Sequence, residues 1–94
     1  MLPEASGLPA EAREDLIRRL RKIEGQTQGI QRMLADGRAC REVLNQLASV
    51  RAATHRVSLE LMKHYALACL QDPHCMESEQ DLADLIDMLL RLPT

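Results

Sequence analysis

The chain has 94 residues, enough for one small domain, and contains three cysteines and one tyrosine but no tryptophan or phenylalanine. This composition excludes a core anchored by aromatic side chains and nucleic-acid binding by base stacking, so the core must be aliphatic. The net charge of −2 argues against binding nucleic acid through overall charge, but residues 13–56 hold ten of the twelve Lys and Arg residues.

The first nine residues predict a flexible arm, followed by a single helical domain over residues 10–94. The arm contains Pro3, Gly7 and Pro9 and has no basic residue. It therefore lacks the charged and apolar regions of an export signal. No apolar run is long enough to cross a membrane, so we expect a cytoplasmic protein without a membrane partner.

Two long helices are predicted by apolar residues that recur at alternating spacings of four and three. The first helix runs from about Pro9 to Ala35, and Gly37 ends it in the left-handed conformation. The second covers roughly thirty residues, from near Cys40 to near Cys69. The two stripes comprise Leu16, Leu20, Ile23, Thr27, Ile30 and Leu34, then Val43, Leu47, Val50, Thr54, Val57, Leu61, Tyr65 and Ala68.

A third, short helix is predicted from Ser78, where Asp81 completes a capping pattern, to about Leu92. Helices one and two are too long to be covered by this short one. The sequence therefore predicts an all-α, three-helix protomer whose two long helices form an antiparallel four-helix bundle with a second copy. A monomeric three-helix bundle is the alternative.

Two of the three cysteines lie on the second predicted helix. Cys40 and Cys69 lie at opposite ends of the second helix, about 43 Å apart at 1.5 Å per residue, so they cannot share a ligand within one chain. In an antiparallel dimer, Cys40 approaches Cys69 of the partner subunit. The alternative is that both are small buried apolar residues.

Three neighbours complete the thiol-rich part of the chain. Tyr65 lies four residues before Cys69 and shares its helical face, whereas His64 points elsewhere and is expected to be solvated or at an interface. Cys75 follows in the loop, either as a free thiol or as an accessory, resolving thiol for Cys69.

Basic residues cluster on the first helix and recur on the second. This pattern indicates either a phosphate-binding surface or a solvated face with salt bridges to Glu14, Asp15 and Glu24. No helix-turn-helix or zinc-finger signature accompanies it. The cluster comprises Arg18, Arg19, Arg21 and Lys22, with Arg32 further along, and Arg51 and Arg56 on the second helix.

The segment LIRRLRKIEGQ at residues 16–26, followed by Gly29, Ile30 and Met33, then Cys40 and a 29-residue interval to Cys69, resembles the CsoR/RcnR family of metal- and thiol-responsive repressors. The resemblance covers about residues 12–90. It implies an all-α tetramer, a dimer of antiparallel four-helix bundles, that binds double-stranded operator DNA and releases it when an inducer engages a thiol site between subunits.

Carried onto this chain, the resemblance implies that Cys40 and Cys69 are the sensing thiols and that Arg19 and Arg56 contact DNA. We add Arg18 and Lys22 to the DNA-binding set on their charge alone. The protein then requires no cofactor, and its ligands are operator DNA, further copies of itself and a small inducer.

The inducer is suggested by a departure from the family pattern. Copper-sensing members carry a histidine four residues before the second cysteine, where this chain has Tyr65, and a tyrosine and a glutamate at the positions of Ala39 and Asp84. Two cysteines without the histidine resemble the CstR branch, which senses persulfides and other sulfane sulfur. Cu(I) held by Cys40 and Cys69 alone is the alternative.

Other inducers and functions fit less well. Nickel- and cobalt-sensing members need an N-terminal histidine, and formaldehyde-sensing members have no use for Cys69. A thiol enzyme would need a base or oxyanion pocket beside its cysteine, and none is evident, so we do not expect an enzyme. A helical thiol protein that does not bind DNA is the remaining alternative.

Overall fold

A computed structural model describes residues 8–71 and 79–91, and these residues form three helices: α1 (Ala10–Ala35), α2 (Cys40–Gln71) and α3 (Glu79–Arg91). The prediction of an all-α protomer with two long helices and one short one is confirmed. Most of the predicted arm, the loop with Cys75 and the predicted cap Ser78 lie outside the described residues. No helix within the described ranges is long and apolar enough to cross a membrane.

The ends of α1 follow from local chemistry. Pro9 directly precedes the helix, and its carbonyl accepts a hydrogen bond from the Arg13 amide at 3.0 Å. At the other end Gly37 has φ +70°, the left-handed conformation predicted for it. The Arg38 amide donates to the Met33 carbonyl and the Gly37 amide to the Leu34 carbonyl, which is the hydrogen-bond pattern of a Schellman cap.

Helix α2 is a single unbroken rod. The Ala39 carbonyl accepts the amides of Glu42 and Val43, which starts the helix at Cys40, and the rod then continues for 32 residues without Gly or Pro. At 1.5 Å per residue it is about 46 Å long. Because the helix is continuous, the distance between any two residues along it is set by their separation in the sequence.

The core of the protomer is small. Helices α1 and α2 pack against each other, and the buried apolar side chains among those that the structure describes are Leu16, Ile30, Val43 and Tyr65. All four belong to the predicted stripes, but other stripe members remain exposed, such as Leu34 at 63%. The Cα trace measures only 15 Å in its thinnest direction, so a two-helix layer leaves one apolar side uncovered.

The Gly37 cap can be tested against a matched glycine in mid-helix. Gly37→Ala should lower the free energy of unfolding by about 1–2 kcal/mol, because Ala is strained in the left-handed region. Gly25→Ala should instead raise it by about 0.5–1 kcal/mol, since Gly25 lies inside α1 with nothing within 4 Å of an added Cβ. Urea unfolding at a fixed protomer concentration measures both changes. An equal gain from both substitutions would contradict the cap.

Candidate nucleic-acid interface and sensing thiols

A groove of about 560 Å³ runs between α1 and α2, and its lining includes four of the seven basic residues noted in the sequence, but not Arg21, Arg32 or Arg51. The side chains of Arg18, Arg19 and Lys22 reach it from α1, and that of Arg56 reaches it from α2. Residues three and four apart on a helix share a face, so the α1 cations line one wall. The packing of the two helices brings Arg56 to the opposite wall.

Other groove-lining residues were not part of the predicted site. They add one carboxylate, two polar side chains and two apolar ones, and they are Asp15, Ile23, Gln26, Ser49 and Ala53. The sequence predicts Asp15 as a salt-bridge partner and places Ile23 in the apolar stripe of the first helix, but it gives neither a place in a groove. The helical spacing of Gln26 from Lys22 is a signal for its position, whereas nothing in the sequence pairs Ser49 with α1.

Each groove arginine is paired with a carboxylate. Arg19 Nε donates to Asp15 Oδ2 at 2.8 Å, Arg18 pairs with the same carboxylate, and Arg56 Nε donates to Glu60 Oε1 at 3.1 Å. The three groove arginines therefore form salt bridges, as the alternative interpretation of the basic cluster predicts, and Asp15 is one of the partners that it names. Glu60 was missed, although its position four residues after Arg56 is the signal that could have identified it.

These ion pairs shift the pKa values of the groups that form them. The hydrogen bond from Arg19, assisted by Arg18, lowers the pKa of Asp15 below its ordinary value. The hydrogen bond to Asp15 and its charge raise the pKa of Arg19, and the charge of Glu60 raises it further. Because Glu60 lies on α2 and Arg19 on α1, the electrostatic network crosses from one helix to the other.

A second polar link joins the helices inside the groove. Gln26 Nε2 donates to Ser49 Oγ at 3.4 Å, which is a long hydrogen bond. Gln26 Oε1 is buried and has no hydrogen-bond partner among the described residues. A buried acceptor without a partner is uncommon, so this amide has unused hydrogen-bonding capacity beside the cations.

The groove has the chemistry of a phosphate-binding surface. Its lining residues carry four cations against one carboxylate, although the chain as a whole is acidic. Exposed ion pairs are worth only about 0–1 kcal/mol, so the arginines can exchange their carboxylates for phosphate oxygens. Contacts of this kind position a protein on the DNA backbone.

The predicted sensing thiols lie far from each other in the protomer. Cys40 is the first residue of α2, and its thiol is free and exposed. Cys69 lies in the last turn of α2, and its side chain falls outside what the structure describes. The helix holds the two positions about 43 Å apart, as the sequence predicts. In residues 8–71 and 79–91, no three His, Cys, Asp or Glu side chains cluster to hold a metal ion.

The surroundings of the thiols differ at the two ends of α2. Near Cys40, Arg38 Nε donates to Glu42 at 2.8 Å, and this bond raises the pKa of Arg38. Toward Cys69, Tyr65 is buried and His64 is partly exposed. Cys75 lies outside the described residues, so the choice between a free thiol and an accessory thiol stays open.

Helix α3 carries Asp84, at the position where copper-sensing members of the family that the chain resembles carry a glutamate. Asp84 accepts a hydrogen bond from Gln80 Nε2 at 2.8 Å within its own helix. This carboxylate is therefore engaged locally in the protomer.

Comparisons with known proteins agree with this architecture. A family model described as a metal-sensitive transcriptional repressor matches residues 12–91. The copper-sensing transcriptional repressor CsoR of Bacillus subtilis is 34% identical over 80 residues, covering 84% of this chain and 79% of the relative. The copper-sensing transcriptional repressor RicR of Mycobacterium tuberculosis is 33% identical over 60 residues, covering 64% of this chain and 62% of the relative.

A solved structure is also similar. It is that of the copper-sensing repressor CsoR with Cu(I) from Geobacillus thermodenitrificans, with a TM-score of 0.74 and 29% sequence identity. The match covers 97% of this chain and 92% of the solved chain. The likeness therefore extends over the whole helical domain.

Proposed function

This chain belongs to the CsoR/RcnR family of metal-sensitive transcriptional repressors, and on that premise we propose that it binds operator DNA through the groove between α1 and α2. It releases the operator when an inducer engages Cys40 and Cys69 of the partner subunit. Operator binding places the protein where the DNA is, which supports a cytoplasmic location. Its relatives are transcriptional repressors rather than enzymes.

The convergence of Arg18, Arg19, Lys22 and Arg56 on one groove carries the DNA-binding part of the proposal. Two of these residues, Arg19 and Arg56, match the family's DNA-contacting positions. The other two, added on charge, line the same groove. A helical thiol protein that does not bind DNA offers no account of four cations from two helices lining one groove with a single carboxylate.

A homodimer built on antiparallel α2 helices, and a tetramer made of two such dimers, completes the proposal. The protomer leaves large apolar side chains exposed along both long helices, including Leu20, Leu44, Leu47 and Leu61. Burying apolar surface contributes about 25 cal/mol per Å², so a second copy that covers these residues stabilises the fold. The same arrangement brings Cys40 of one subunit to the end of α2 that holds Cys69 of the other.

The DNA-binding groove is tested by removing its arginines. Arg19→Ala and Arg56→Ala should each weaken binding to a labelled duplex of the chain's own upstream region by about tenfold to a hundredfold, the value of a charged hydrogen bond. Each should also reduce the slope of log K against log salt concentration by about one. Fluorescence anisotropy across a salt series measures both quantities.

Arg91→Ala is the matched control for this experiment. Arg91 forms a similar exposed pair with Asp87 at 3.0 Å, but on α3. Its loss should leave affinity within about twofold of wild type, an effect of net charge alone. Equal effects of all three substitutions would exclude the groove as the DNA site.

Persulfide, or another source of sulfane sulfur, is the inducer we propose. A cysteine thiolate attacks the outer sulfur of a donor persulfide and expels the donor thiolate, which leaves a cysteine persulfide on the protein. The second thiolate then attacks the inner sulfur, forms a disulfide between subunits and releases hydrosulfide. Where both cysteines are persulfidated, they condense to a trisulfide and release one hydrogen sulfide.

Tyr65 supports sulfane sulfur over copper. It occupies the position at which copper-sensing members carry a histidine, and its phenol is a harder and weaker ligand for Cu(I) than imidazole. Cys40 is exposed in the protomer, so a small electrophile can reach its thiol. Cu(I) is the second candidate inducer, favoured by the copper-sensing relatives, because a soft ion can be held by the two thiolates alone.

The two inducers are separated by a DNA-release assay under anaerobic conditions. A persulfide donor should release wild-type protein from the labelled duplex, and non-reducing mass spectrometry should then show two chains joined through sulfur. Cys40→Ser should abolish both effects, whereas Cys75→Ser should preserve them. Tyr65→His should strengthen Cu(I) binding, since it supplies a third ligand. Release of the wild type by Cu(I) alone, with no covalent change, would contradict the sulfur proposal.

A further inference from the structure

The arginines of the DNA-binding groove are already paired with carboxylates, one of which lines the groove while the other pairs with Arg56. The Asp15 carboxylate accepts hydrogen bonds from Arg18 and Arg19, and that of Glu60 accepts one from Arg56 at 3.1 Å. Three of the four groove cations are thus neutralised in part before any DNA arrives. Lys22 forms no ion pair within the part of the chain that the structure describes.

The two carboxylates lie on different helices but pair with arginines of the same groove, Asp15 with Arg19 and Glu60 with Arg56. After the hydrogen bond to Asp15 and its charge, the charge of Glu60 also raises the pKa of Arg19, by a smaller contribution. The two family-matched arginines, Arg19 and Arg56, therefore share a field set by Asp15 on α1 and Glu60 on α2. A phosphate entering the groove meets this whole network.

We propose that Asp15 and Glu60 are affinity-setting residues, which occupy Arg19 and Arg56 until DNA phosphates replace them. The inference rests on the proposed function, because it requires DNA to bind in this groove. Binding is then an exchange of anions: each arginine gives up a carboxylate and gains a phosphate oxygen. The displaced carboxylates stay in or beside the groove and repel the incoming DNA backbone.

The exchange lowers affinity by a predictable amount. In water, the interaction of two unit charges at contact distance corresponds to about fivefold in an equilibrium constant. A carboxylate freed from its arginine also recovers a cation from solution, which offsets part of the counterion release that drives DNA binding. Removing either carboxylate should therefore strengthen DNA binding and make it more dependent on salt.

A moderate affinity suits a protein that must let go of DNA. The coupling between an inducer and a second ligand commonly changes affinity by about 5- to 150-fold. If the protein concentration exceeded the Kd for the operator by much more than this factor, the operator would stay occupied after induction. The resident carboxylates hold affinity in the range that the inducer can reverse.

The test uses the full-length protein, the labelled duplex of its own upstream region and a salt series. Asp15→Asn and Glu60→Gln, which keep the shape of each side chain, should each raise affinity about fivefold and steepen the salt slope by up to about one unit. Asp87→Asn is the matched control: it removes one negative charge from an exposed pair on α3, outside the groove. Circular dichroism confirms that each variant is folded as the wild type is.

Two outcomes would overturn the inference while the proposed function stands. One is wild-type DNA binding with affinities for Asp15→Asn and Glu60→Gln no higher than that of Asp87→Asn. The other is weaker binding by both variants, which would make the carboxylates positioning residues for the arginines. A gain from Glu60→Gln that shrinks when Arg56→Ala is also present would support the exchange. Failure of wild-type protein to bind any duplex would instead overturn the proposed function.

Discussion

The rigidity of α2 is the constraint on which the rest of the molecule depends. A continuous helix cannot bring its own ends together, so Cys40 and the position of Cys69 stay about 43 Å apart in every protomer. The same rod carries Arg56 near its middle, beside the α1 cations. The thiol chemistry that we propose at the ends of α2 and the DNA contact that we propose near its centre would therefore be connected through one helix, and a site made from both thiols requires a second chain.

The small core of the described residues is a second reason to propose assembly with another chain. Among the side chains that the structure describes, four apolar ones are buried, whereas large leucines along both long helices are exposed. A protein of this length buries a modest share of its surface, and a two-helix layer buries less than a closed bundle. Assembly, which we propose for the sensing site, also supplies the missing apolar cover. The same interface can thus serve stability and inducer recognition.

Charge is distributed unevenly over the molecule. The chain is acidic overall, yet its groove presents four cations, and the carboxylates nearest to them are hydrogen-bonded to the arginines. Local distribution rather than net charge decides whether such a surface attracts phosphate. Paired arginines are also held in defined orientations on their helices, which a set of free cations would not be. The pairs therefore affect both the strength and the geometry of any phosphate contact.

The sequence by itself determined the helices, their approximate ends and the left-handed Gly37, because each depends on residues within one or two turns of each other. Spacing and a family resemblance also gave the candidate arginines and thiols on which the proposed function rests. The sequence did not determine that Arg56 faces Arg19 across a groove, that Glu60 acts on Arg19, or that Gln26 meets Ser49. Those contacts depend on how far α2 is rotated and shifted against α1. Helical periodicity shows which face of a helix is apolar, and Leu16, Ile30, Val43 and Tyr65 are buried as it predicts, but it does not show the register in which two faces meet.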